Sequence, residues 1–151
     1  MRFSILACAP MLVTLLVPST ASAAQARGQA PAPAAGASDR TISVTYKGKG
    51  AVDPAHDIIV FAFDHADVTA DSRPLAHKYV QKNGGSATFS GLADPVYFFA
   101  VYDEKGNYDG MSGPPPAGTP VALYAGPKGE PLQVKSGAKV KMTFTDARRW
   151  K

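Results

Sequence analysis

Two segments of the chain are apolar at every position, and they limit the possible folds more than any other feature. Residues 58–63 read Ile-Ile-Val-Phe-Ala-Phe, and residues 96–102 read Val-Tyr-Phe-Phe-Ala-Val-Tyr. β-Branched and aromatic side chains favour strands, and strands that are apolar on both faces occur inside packed sheets. Each segment is therefore predicted to be an internal strand with little solvent contact.

Further short segments have strand patterns, and none has a convincing helical period. Residues 41–47 and 139–145 alternate between apolar and polar side chains, as half-buried strands do. Shorter candidate strands lie at residues 75–81, 86–90, 121–124 and 132–134. Turns rich in Gly and Pro separate these segments, so the sequence predicts an all-β fold, a single antiparallel β-sandwich of about seven strands.

The N-terminus has the three parts of a Sec-type signal peptide. Arg2 is followed by an apolar run, which ends in the small residues Ala21-Ser22-Ala23. This order is typical of a cleavable secretory signal, and the run is shorter than the roughly 20 residues that span a bilayer. We predict cleavage after Ala23 and a periplasmic or secreted protein. Cleavage also removes Cys8, the single cysteine, so no disulfide or thiol chemistry is expected.

The remaining chain divides into three parts. Residues 24–39 are dominated by Ala, Pro and Gly and are predicted to form a disordered tether. Residues 40–147 are predicted to be the β-sandwich domain. Residues 148–151 form a basic C-terminal tail, expected to be frayed and solvated. The net charge is only +4 and no broad basic face is evident, so nucleic acid is not an expected partner.

One stretch of sequence resembles a known domain family. Residues 87–92 read Ala-Thr-Phe-Ser-Gly-Leu, residues 96–103 follow as a buried strand ending in Asp, and Gly106-Asn107 come next. This series resembles the carboxypeptidase regulatory-like domains, which are prealbumin-like (transthyretin-like) sandwiches of exported bacterial proteins. Asp94-Pro95 stands where that family has a Gly-containing turn. The resemblance implies a mostly non-catalytic module for stability, adhesion, or binding of small ligands or sugars.

The loop after the second apolar segment is the first candidate site. Asp103, Asn107 and Asp109 alternate with other residues in a Gly-containing loop, as oxygen ligands of Ca²⁺ do. Lys105 lies where such a loop has a further ligand, and Pro114 lies where a bidentate Glu is usual. The alternative is a turn in which the Asp and Asn side chains accept hydrogen bonds from their own backbone.

The same loop continues into a proline-rich segment that is the second candidate site. Three consecutive prolines favour a stiff polyproline II conformation, which can serve as a recognition surface or as a rigid connection. Aromatic side chains nearby offer faces for a ligand, and packing at a sandwich edge is the alternative. The candidate ligand-binding residues are Tyr108, Met111, Pro114, Pro115, Pro116 and Tyr124.

Catalytic and transition-metal chemistry have weaker support. His56, His65 and His77 lie in different segments without a metal-binding spacing, and Met111 is the only further soft ligand considered. The sequence contains no Gly-x-Ser-x-Gly elbow, phosphate-binding loop or dinucleotide fingerprint. The chain is therefore predicted not to be an enzyme.

These observations together predict an exported, non-catalytic β-sandwich with a binding or structural role in the cell envelope. Its expected partner is a small ligand, a glycan or a protein, and no membrane anchor is expected after cleavage. The alternative is a periplasmic metal-binding protein that uses the 103–109 loop or the histidines, and a hydrolase is less favoured. No cofactor is predicted apart from a possible Ca²⁺.

Overall fold

The computed structural model describes residues 38–151, and these residues form an all-β sandwich, as predicted. None of them forms a helix long and apolar enough to cross a membrane. The predicted signal peptide and most of the predicted tether lie outside the described residues. The seven strands are β1 (Arg40–Tyr46), β2 (Ile58–Phe63), β3 (Ala76–Val80), β4 (Ser86–Phe89), β5 (Tyr97–Tyr102), β6 (Val121–Leu123) and β7 (Lys139–Phe144).

Three strands form one sheet in the order β4-β1-β7. β1 is antiparallel to β4 but parallel to β7, with Ile42 opposite Val140 and Tyr46 opposite Phe144. This pair departs from the antiparallel arrangement expected for the whole sandwich. Parallel neighbours need a long connection, and here the chain between β1 and β7 forms β4 and the entire second sheet.

Four strands form the second sheet in the order β3-β2-β5-β6, and every pair in it is antiparallel. The two apolar segments are its central strands, β2 and β5, with Phe61 opposite Phe99. All six residues of β2 are buried, which confirms the predicted internal strand. The predicted strand at residues 132–134 is wrong, since only single backbone contacts such as Val134 N–H to Val96 O form there.

The main core lies between the two sheets. Ile42 and Val44 of β1 face Val60 of β2 and Phe98 of β5, and all four are fully buried. The apolar residues that alternate along β1 and β7 point towards this core, as the sequence pattern predicts. Aromatic rings close both halves of this core: Tyr46 stacks on Tyr102 at 4.1 Å, and the ring centroids of Phe89 and Phe98 are 5.1 Å apart.

Arg40 is the one buried cationic side chain among the described residues, and it lies at the start of the domain. Its guanidinium donates to Val134 O at 2.9 Å, to Leu92 O at 2.8 Å and to the carboxylate of Asp94. Three acceptors compensate for the loss of water around a buried charge. The Asp94–Pro95 peptide bond next to this site is cis.

The basic C-terminal tail is hydrogen-bonded to the sandwich, although Arg148, Arg149 and Lys151 are exposed. Val121 N–H donates to Arg148 O, and Trp150 N–H donates to Thr119 O. The Arg149 side chain contacts both carboxylate oxygens of Glu104, at 2.8 and 3.1 Å. The expectation of a frayed end is therefore wrong for this segment, because strand-like pairing and the packing of Trp150 hold it in place.

Candidate functional site

The outer face of the four-stranded sheet carries a second set of buried apolar side chains. They are Ile59, Phe61, Phe63, Phe99, Val101 and Val121. These residues alternate along β2, β5 and β6 with those that face the main core. Burial of both faces explains why β2 and β5 are apolar throughout.

Three irregular segments cover this outer face. Residues 64–75 connect β2 to β3, residues 103–120 connect β5 to β6, and residues 148–151 end the chain. Each places one apolar side chain on the cluster, namely Val68, Tyr108 and Trp150. The Trp150 and Phe99 rings meet edge to face at 5.8 Å, a favourable aromatic geometry. We call these three segments the roof.

A cavity of about 360 Å³ lies between the roof and the sheet. Phe61, Phe63 and Phe99 line it from the sheet, and the roof lines it with residues 68–74, with Trp150 and with Tyr108, Gly110, Met111, Gly113, Pro114 and Pro115. This volume is within the range of small-molecule sites, which are mainly apolar with a few polar groups. We call this space the aromatic cavity.

The structure brings four of the predicted ligand-binding residues together at this cavity. Tyr108, Met111, Pro114 and Pro115 all line it. Pro116 lines a separate cavity of about 90 Å³. Tyr124 is half-buried and packs against the main core, so it belongs to the sandwich edge.

The Asp109 carboxylate stabilises the turn between Tyr108 and Ser112. Asp109 accepts hydrogen bonds from the backbone N–H groups of Met111 and Ser112 and from the Ser112 hydroxyl. These donors lower the pKa of Asp109 to about 2, and burial raises the pKa of Tyr108 to about 12. Gly110 has φ +69°, and an added Cβ would lie 3.0 Å from the Phe61 ring, so only Gly fits there.

The predicted calcium ligands act as turn acceptors in this structure. Asp103 is buried and accepts from the backbone N–H groups of Lys105 and Tyr108, at 3.2 and 2.8 Å. Asp103 and Asn107 line the smaller cavity together with Lys105, whereas Asp109 lines neither cavity. These contacts match the alternative of a side-chain-stabilised turn, and calcium binding stays a prediction.

The three histidines do not converge. His56 contacts Asp53 at 3.2 Å, whereas His77 lies between the rings of Phe61 and Tyr79. Within residues 38–151, no group of three or more His, Cys, Asp or Glu side chains is placed to hold a metal ion. A histidine metal site therefore has no support from geometry.

His65 belongs to an arrangement that the sequence analysis missed. Its Nδ1 is 2.6 Å from the Asp64 carboxylate, and its Nε2 is 2.9 Å from the Ser72 hydroxyl. The hydrogen bond to His65 lowers the pKa of Asp64. Ser72 also lines the aromatic cavity. No sequence motif predicts this arrangement, because Asp64 and His65 are adjacent and Ser72 follows in an ordinary polar loop.

Two features of the sequence are explained by the roof: the apolar residues on the outer face of the sheet and the aromatic residue near the end of the chain. Phe61, Phe63 and Phe99 occupy the alternate positions that a one-sided sheet would leave polar. Trp150 lies in the predicted basic tail, and packing at a sandwich edge was the predicted alternative to exposure of its ring; the ring packs against the outer-face cluster.

Comparison with protein-family models, with curated proteins and with solved structures found no match for this chain. The family resemblance seen in residues 87–107 therefore stays a prediction.

Proposed function

We propose that this chain is a binding module of the cell envelope, and that it binds a small, largely apolar molecule in the aromatic cavity. The observation that carries the proposal is that the roof covers the buried apolar side chains of β2, β5 and β6 yet leaves a cavity of about 360 Å³ above them. A roof with only a structural task would pack against the sheet, because protein interiors are close-packed.

The lining indicates the chemistry of the ligand. Phe63, Phe99 and Trp150 present ring edges and faces, and Met111 adds a polarisable side chain at the mouth. The polar groups come from the 68–74 segment, namely Thr69, Asp71, Ser72 and Arg73. The ligand thus has an apolar body, and its polar group lies towards this segment.

Export of the protein supports this assignment. The predicted signal peptide and the absence of cysteine after Ala23 suit an oxidising compartment in which folding relies on burial. N-terminal sequencing of protein from the producing cells tests export, and we expect the mature chain to begin at Ala24. Retention of Met1 to Ala23 in the exported fraction would contradict this part of the proposal.

Trp150 provides a direct assay for cavity binding, because it is the only tryptophan and lines the cavity. The probe is 8-anilinonaphthalene-1-sulfonate, an aromatic molecule with one anionic group. We expect saturable energy transfer from Trp150 to the probe and an increase in the thermal unfolding midpoint, since a ligand of the native state stabilises it.

Two matched variants separate cavity binding from binding elsewhere. Met111→Glu places a carboxylate at the cavity mouth, where Met111 is 68% exposed, so the fold is little affected. Leu75→Glu makes the same change at a residue that is 47% exposed and does not line the cavity. We expect about a tenfold weaker affinity in Met111→Glu, equivalent to about 1.4 kcal/mol, and no change in Leu75→Glu. Equal affinities in the two variants would refute binding in the cavity.

A further inference from the structure

Asp64, His65 and Ser72 form a continuous chain of side-chain hydrogen bonds beside the aromatic cavity. Asp64 follows β2 directly, and Ser72 closes the turn that begins at Thr69. The contacts are 2.6 Å between the Asp64 carboxylate and His65 Nδ1, and 2.9 Å between His65 Nε2 and Ser72 Oγ. Both distances are those of well-formed hydrogen bonds.

The partners of each atom fix the direction of the protons. Ionised Asp64 accepts only, so His65 Nδ1 carries the proton and Nε2 presents its lone pair. Ser72 Oγ already accepts from Thr69 N–H at 2.9 Å. Its own proton therefore points to His65 Nε2, which is closer than the alternative acceptors Thr69 Oγ1 at 3.4 Å and Asp67 O at 3.5 Å. This is the order carboxylate, imidazole, hydroxyl that activates a serine.

The serine at the end of this chain of hydrogen bonds belongs to the lining of a space that can hold a substrate. Ser72 lines the aromatic cavity together with Arg73. Arg73 makes no salt bridge with any residue in the described range 38–151, so its guanidinium is available to an anion. A cation near a nucleophile is one means of stabilising the charge that develops on a carbonyl oxygen.

We propose that Ser72 is a nucleophile, that His65 is its general base, and that the protein hydrolyses esters of small apolar acids held in the aromatic cavity. The proposal rests on the proposed function, because the substrate occupies the same cavity. Asp64 acts as a positioning residue, which fixes the His65 tautomer.

The reaction balances with water as the second reactant. Ser72 Oγ bonds to the ester carbonyl carbon as its proton passes to His65 Nε2. The C–O bond to the alcohol then breaks, and the alcohol leaves with that proton. Water attacks the acyl carbon and gives a proton to His65, the bond to Oγ breaks, and Ser72 regains its proton from His65 as the carboxylic acid is released.

The geometry favours esters over amides. The Asp64 side chain is 61% exposed and that of His65 is 41% exposed, so water weakens the electrostatic support of the imidazolium. Such a site suits a leaving group that departs readily, as an alkoxide or phenoxide does compared with an amide nitrogen. The volume of the cavity, about 360 Å³, also favours a small substrate.

Covalent labelling tests the nucleophile directly. The intact protein is incubated with a small alkyl fluorophosphonate, and the adduct is located by mass spectrometry. We expect one phosphonyl group on Ser72, no label in Ser72→Ala, and at least about a 100-fold slower reaction in His65→Gln, the usual contribution of a general base. Ser86→Ala is the control, because Ser86 lies on the outer face of the other sheet, where its hydroxyl contacts that of Ser43, and it does not line the cavity.

Turnover of p-nitrophenyl butyrate provides the second readout. We expect hydrolysis that is lost in Ser72→Ala, reduced in His65→Gln and retained in Ser86→Ala. Asp64→Asn should lower kcat and shift the pH profile, which a merely structural role would not do. Thermal unfolding of each variant shows whether it is folded, and His65→Gln decides the matter if Ser72→Ala does not fold.

The two proposals fail in different ways. Binding of 8-anilinonaphthalene-1-sulfonate without labelling of Ser72 would overturn the catalytic role and leave cavity binding intact. Labelling of another serine, or equal labelling of wild type and His65→Gln, would also overturn it. Labelling of Ser72 without dye binding would support the nucleophile and count against the proposed function.

Discussion

The two sheets are alike on the faces that meet and different on the faces that point away from each other. The outer face of the β4-β1-β7 sheet carries Thr41, Ser43 and Thr143, and cross-strand hydroxyl pairs such as Ser43 with Ser86, at 2.7 Å, lie in solvent. The outer face of the β3-β2-β5-β6 sheet carries buried Ile, Phe and Val side chains on β2, β5 and β6, with His77 and Tyr79 beside them on β3. The outer face of the β4-β1-β7 sheet is polar and is in contact with water, whereas the outer face of the second sheet must be covered by the roof.

The difference follows from the connections of the second sheet. Residues 64–75 and 103–120 both begin at the ends of its own central strands, so the sheet supplies most of its own roof. A sheet with one polar face has no need of such loops. The comparison indicates that the roofed face carries the function, because two long connections cover it and the aromatic cavity lies beneath them.

The largest expected effect is loss of an aromatic ring from the roofed face. Phe99→Ala removes a ring that is 3% exposed and contacts Phe63 and Trp150. We expect the free energy of unfolding to fall by about 3 kcal/mol, as for buried aromatic residues. Urea denaturation measures it, with Thr143→Ala on the polar face as the control. A loss in Phe99→Ala as small as in the control would show that the roof does not bury this face.

Removal of the tail is expected to have the next largest effect. Ending the chain at Ala147 removes Trp150 and backbone hydrogen bonds to Gly118, Thr119 and Val121. We expect a loss of about 2 kcal/mol from exposed apolar surface and broken hydrogen bonds. The same urea titration measures it, and Arg148→Ala should have no effect. An unchanged midpoint in the shortened chain would mean that the tail is only loosely associated.

Acid should weaken the roof before the polar face. The pKa of Asp109 is about 2 in the folded protein against 3.8 in the unfolded chain, so its stabilising contribution is complete above 3.8 and disappears as pH falls through 2. We expect Asp109→Asn to be less stable than wild type at pH 5 and the difference to vanish near pH 2. Denaturation midpoints across this range measure it, and a pH-independent difference would contradict the assignment.

The smallest effect is expected on the polar face. Thr143→Leu adds an apolar side chain at an exposed position of β7. We expect the free energy of unfolding to change by less than about 0.5 kcal/mol, as is usual for exposed sites. A larger gain in stability would indicate that something covers this face too, and the contrast between the two sheets would be lost.

The fold was largely predictable because it depends on local patterns. The bounds of β2 match the predicted segment, and the inward residues of β1 and β7 match the alternation. The parallel pairing of β1 with β7 was not predictable, because pairing joins residues about a hundred positions apart through contacts that no local pattern encodes.

The site was predictable only in part. Tyr108, Met111, Pro114 and Pro115 came from composition and loop length, and they do line one cavity. Pro116 and Tyr124 do not line it, because the sequence does not determine in which direction a single side chain in a loop or at a sheet edge points. The sequence predicts no enzyme because it contains no catalytic motif. The Asp64-His65-Ser72 arrangement does not depend on a sequence motif, and labelling of Ser72 tests whether it is catalytic.

The sequence by itself determined an all-β sandwich with two central strands buried on both sides, since periodicity and side-chain type record burial residue by residue. It also predicts export and a thiol-free domain. Only the tertiary structure decided what covers the second face: two connections and the end of the chain, which come together with a cavity beneath them. A strand pattern shows that a face must be buried, whereas the identity of its cover depends on long-range contacts.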